Sequence, residues 1–71
     1  MTMQEAEQLN QVLIGLRDQY RTAVREREGA RPEVLKDARD VMSRAHEDWA
    51  AGRLRAAVKG FAEALLILRQ V

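Results

Sequence analysis

The chain has 71 residues, with 12 Lys and Arg against 11 Asp and Glu, a net charge of +1 and no cysteine. Disulfides and thiolate metal sites are therefore excluded, no apolar run approaches the roughly 20 residues of a membrane span, and the charge is too balanced for a surface dominated by phosphate contacts. With 46% hydrophobic residues and charges that alternate in sign, the expectation is one thin folded domain over residues 1–71 rather than a disordered tail. Glu5 and Glu7, with no basic residue before Leu9, do not form a secretory signal, so a cytoplasmic location is expected.

The first predicted helix covers about 2–28. Its apolar positions Ala6, Leu9, Leu13, Leu16, Tyr20 and Ala23 step by three and four, the seam of a helix packed along one line. Thr2 and Glu5 have the capping-box spacing, a hydroxyl and a carboxylate closing orphan amides of the first turn. Gly15 costs about 1 kcal/mol relative to alanine, and since the pattern resumes in phase at Leu16, the glycine is expected to admit a close neighbour. Arg25, Arg27 and Gly29 suit a helix C-terminus.

Arg31-Pro32-Glu33 then starts a second helix of about 32–50, with proline at the first helical position and an acid near the positive end of the dipole. So short a connection predicts an antiparallel pair. The buried side is read as Val34, Ala38, Val41, Ala45 and Trp49, flanked by Leu35 and Met42, and Gly52 ends the helix. A third helix, about 53–70, places Leu54, Ala57, Val58, Phe61, Ala64, Leu65 and Leu68 on one face. Nothing alternates with period two over the length of a strand, so the predicted fold is all-α, a three-helix bundle.

From Gly52 to Leu65 the sequence resembles the second helix of a tetratricopeptide repeat: Gly52, Leu54, Ala57, Phe61, Ala64 and Leu65 match the family's turn glycine, large apolar, small, aromatic and Ala-Leu places. Ala45 stands at the usual small-residue place of the preceding helix, and Trp49 where that helix packs on the second. The resemblance spans about 34–68 and implies an antiparallel helical hairpin with a protein-binding role. One copy is present and the closing proline is missing after Leu68, so the family's concave peptide groove is not implied.

Catalytic and cofactor chemistry find little footing. His46 is the only histidine, and Glu47 and Asp48 beside it would repel a phosphate, which favours a structural histidine over a phosphoacceptor and leaves no metal site. The carboxylate pairs Glu26 with Glu28 and Asp37 with Asp40 need a desolvating cleft to do acid–base work, and three short helices offer none. Arg17, Arg21 and Arg25, at spacing four, are expected to face Glu33, Asp37 and Asp40 on the antiparallel second helix and set its register. Their alternative use is as a small nucleic-acid footprint.

The run Ala64-Leu65-Leu66-Ile67-Leu68 covers more of the helix circumference than one buried face requires. Some of it should point away from the core, as an interface would. The function expected from these features is a small non-catalytic protein-interaction module without cofactors, binding another protein and forming a homo-oligomer through the C-terminal helix. Its candidate interface residues are Leu66, Ile67 and Val71, with Val12, Ile14 and Val24 lying off the seam of the first helix.

Overall fold

The computed structural model describes residues 2–26 and 32–69. It contains three helices, α1 (Met3–Glu26), α2 (Pro32–Ala50) and α3 (Leu54–Arg69), in a body of 41 × 17 × 16 Å. At about 1.5 Å per residue, α1 alone runs most of that length. It is continuous through Gly15. The proposed stop at Arg27 and Gly29 lies outside the described residues, as does Val71.

The helix ends follow local chemistry. The Thr2 hydroxyl accepts a hydrogen bond from the Glu5 amide at 3.1 Å, one half of the anticipated box. The Glu5 carboxylate turns instead towards α3, 3.9 Å from Arg55 Nη2. At the α2–α3 corner Gly52 has φ +82°, a conformation costly to any residue with a Cβ. Its amide donates to the Trp49 carbonyl at 3.0 Å and the Arg53 amide to the Asp48 carbonyl at 2.8 Å, the paired bonds of a Schellman cap. Arg53 Nε bonds Asp48 Oδ1 at 2.8 Å across the same turn.

The three helices form an all-α bundle in which α3 is the shared partner. It packs along both α2 and α1, whereas α1 and α2 approach each other weakly. Glu5 lies by Arg55, and the Asp18–Glu26 turn lies by Leu68 and Arg69, so α1 and α3 run parallel. Trp49, late in α2, bonds Asn10, early in α1, so those two are antiparallel, as the short connection predicts. The core reflects this arrangement. α3 contributes Leu54, Ala57, Phe61, Ala64, Leu65 and Leu68, α2 contributes Ala38, Met42 and Ala45, and α1 contributes Leu13 alone. The rest of the α1 seam that packs on the core, including Leu9, Leu16 and Tyr20, is half-buried because only one neighbour closes over it.

Two packing expectations need correction. Met42, assigned to a flank, is buried, while Val34, Val41 and Trp49 are half-buried. The close approach expected at Gly15 is not there: a Cβ on Gly15 would meet nothing within 4 Å. It occurs at Gly60, where an added Cβ would stand 2.8 Å from the Ala45 Cβ and 3.4 Å from its Cα. α2 and α3 therefore cross with backbone nearly touching side chain, and Phe61, next along the chain, is completely enclosed.

Candidate functional site

Because α3 engages both neighbours, the far side of the bundle is left as a trough between α1 and α2 of about 470 Å³. From α1 it is lined by Tyr20, Arg21, Val24 and Arg25, and from α2 by Arg39, Met42, Ser43 and His46. Tyr20, Val24 and Met42 make its apolar part; among the described residues that line it, three are arginines and none is acidic.

His46, at one end of the α2 wall, belongs to an aromatic cluster. The Phe61 ring stands edge-on to His46 at 5.2 Å and to Trp49 at 5.8 Å, and the His46 and Trp49 rings stack at 6.1 Å with planes 18° apart. Trp49 Nε1 donates to Asn10 Oδ1 at 2.9 Å, tying the end of α2 to α1. The Arg17 guanidinium lies 5.9 Å from the Trp49 ring centroid, within range of a cation–π contact. Its Nε is buried without a hydrogen-bond partner, 3.8 Å from Asp18 Oδ1 and so beyond hydrogen-bond reach. His46 is exposed and packs against both of the other rings of the cluster. Among the described residues no three His, Asp or Glu side chains gather as metal ligands would.

The arginine stripe does not meet the acids expected of it. The ion pairs among the described residues join Arg17 to Asp18, Arg53 to Asp48 and Arg55 to Glu5. The reason is the face of α2. Val41, Arg44 and Asp48 line the seam between α2 and α3, on the side away from α1. Asp37 is one turn before Val41 and shares its side of α2. Asp40 is not among the residues that line the space between α1 and α2, and neither acid is in an ion pair with an α1 arginine. Across from Arg21 and Arg25, α2 presents Arg39, Met42, Ser43 and His46. Arg39 comes near enough to Tyr20 to favour its phenolate, but burial is the larger influence and pushes the Tyr20 hydroxyl above its usual pKa of 10.0.

The candidate interface residues are distributed over several faces. Leu66 is 56% exposed, Val12 47% and Ile14 37%. Ile67 is half-buried, and Val24 is half-buried in the trough. Of the C-terminal apolar run, Leu65 and Leu68 turn into the core and Leu66 turns out. Sequence reasoning missed Arg39 and Ser43. The signal was available in the spacing of Arg39, Met42, Ser43 and His46, which share one face of α2 at steps of three and four.

No family model matches the sequence, and no curated protein or solved structure shows significant similarity to it. Among the described residues no helix is long and apolar enough to cross a membrane.

Proposed function

We propose that this chain is a small non-catalytic protein-interaction module that pairs with a second copy of itself through the outer stripe of α3. The observation that carries this reading is the stripe's composition. Ala56, Lys59, Glu63 and Leu66 are all exposed and follow one another at steps of three, four and three. That spacing keeps them on one line of the helix surface. The line is self-complementary about Phe61: Lys59 stands two residues before it and Glu63 two after, Ala56 five before and Leu66 five after. Two antiparallel copies of α3 would bring each lysine beside the partner's glutamate and set each leucine over a small alanine. An isologous two-fold contact requires this kind of self-match. Burying a leucine side chain contributes about 1.5–3 kcal/mol, and the pairing does so twice. The tetratricopeptide-like character of the α2–α3 hairpin, proposed from Gly52, Leu54, Ala57, Phe61, Ala64 and Leu65, fits a protein-binding role.

Sedimentation equilibrium at micromolar concentration tests the reading. A dimer is expected, Leu66→Glu should shift it to monomer, and Glu63→Lys should weaken it. Adding Lys59→Glu to Glu63→Lys restores the opposite charges across the two-fold and should restore the dimer. A monomer at all concentrations, or a dimer indifferent to all three changes, overturns the proposal.

A further inference from the structure

A second surface stands apart from the α3 stripe. We propose that the trough between α1 and α2 seats an acidic amphipathic helix of a partner protein, with its apolar side on Tyr20, Val24 and Met42 and its carboxylates on Arg21, Arg25 and Arg39.

Three features of the trough define that occupant. First, it is an unfilled helix-packing position. Two antiparallel helices backed by a third leave a groove of the kind a fourth helix fills, and from Arg39 to His46 its wall is about two helical turns long. Second, its charge has one sign. Arg21 and Arg25 project from α1 and Arg39 from α2, with His46 and Ser43 beside them and no acid among the described residues of the lining. Asp37 and Asp40 are not among the residues that line it, and no ion pair among the described residues engages these three arginines. Like charges gathered on facing helices repel, and a row of carboxylates between them relieves that cost while accepting charge-assisted hydrogen bonds. Third, the trough is not polar throughout. Tyr20, Val24 and Met42 offer apolar area that a phosphate backbone would leave unmatched, and methionine adapts to side chains of differing shape. A net charge of only +1 also supplies little of the long-range attraction that nucleic-acid binding relies on. An amphipathic helix with leucines at i, i+4 and glutamates on both flanks matches floor and rim together.

The test is fluorescence anisotropy with the full 71-residue chain and a labelled helix-forming peptide that carries leucines at i and i+4 and glutamates flanking them. A peptide with lysine in place of each glutamate and a labelled single-stranded oligonucleotide serve as the other arms. The glutamate peptide should bind, weaken as salt screens the rim, and exceed the lysine peptide by about tenfold or more. Arg39→Glu should weaken it by about tenfold, and the milder Arg39→Gln, checked for an unchanged helical circular dichroism spectrum, should weaken it less. Equal binding of both peptides, no binding of the glutamate peptide at low salt, or no response to either Arg39 variant overturns the proposal. Tighter binding of the oligonucleotide with the same Arg39 dependence assigns the trough to nucleic acid and also overturns it. So does a dimer of the chain, seen by sedimentation, that Arg39→Glu abolishes, which would make the occupant a second copy.

Discussion

Gly60 and Gly15 stand near the middle of two helices of the same bundle in opposite surroundings. At Gly60 a Cβ would come within 2.8 Å of Ala45, and at Gly15 it would meet nothing within 4 Å. The difference separates two regions. The α2–α3 hairpin is closed to the limit that backbone and methyl group allow, with Phe61, Ala57 and Ala64 fully enclosed beside the crossing. The α1–α2 side is open, joined by the Trp49–Asn10 hydrogen bond and the Arg17–Trp49 contact, with a trough beyond them. The tightest crossing is thus in one helix pair, and the available surface in the other.

That contrast can be broken most severely at Phe61. Phe61→Ala removes a completely enclosed ring that also holds His46 and Trp49. A loss of about 3–5 kcal/mol is expected, comparable to the whole stability of a small domain, so circular dichroism should show a largely unfolded chain at 25 °C. Gly60→Ala comes next: the helices must separate, at a cost of about 1–3 kcal/mol read from urea midpoints. Combining it with Ala45→Gly removes the clashing methyl and should recover part of that loss. Strict additivity of the two changes would mean the crossing is not the cause.

Gly15→Ala should go the other way and stabilise the chain by about 0.5–1 kcal/mol, since the space is open and the helix loses its most flexible residue. A destabilised Gly15→Ala variant would show that α1 meets a neighbour there after all. The smallest effect concerns Tyr20, whose hydroxyl titrates above its usual range chiefly because it is partly buried. Its neutral form is favoured by folding, so the contribution is complete below the unfolded pKa of about 10 and is lost as pH rises through the folded value. An absorbance titration of this only tyrosine should show the delayed ionisation, and Tyr20→Phe should flatten the alkaline loss of stability.

Much of the bundle was legible from local pattern. The helix starts at Thr2 and Pro32, the Gly52 turn and the in-phase apolar positions of α3 each follow from chemistry within one or two turns of chain. The trough was not legible, because the opposite signs of the Arg17–Arg21–Arg25 stripe and of Glu33, Asp37 and Asp40 suggest pairing without saying which side of α2 meets α1. Leu65 to Leu68 show the same division. Their excess over one face is evident in the sequence, but which of the four turns outward depends on where α1 lies.

By itself the sequence determined three amphipathic helices, their approximate ends and the antiparallel order forced by short connections, because those properties rest on side-chain periodicity and capping within single segments. Only the tertiary structure decided that α3 is the helix shared by both neighbours, that the close crossing is at Gly60 rather than Gly15, and that Arg39 instead of an acid faces the arginines of α1. Each of these depends on the rotation of one helix about its axis relative to another. That rotation is set by the combined fit of residues far apart in the chain.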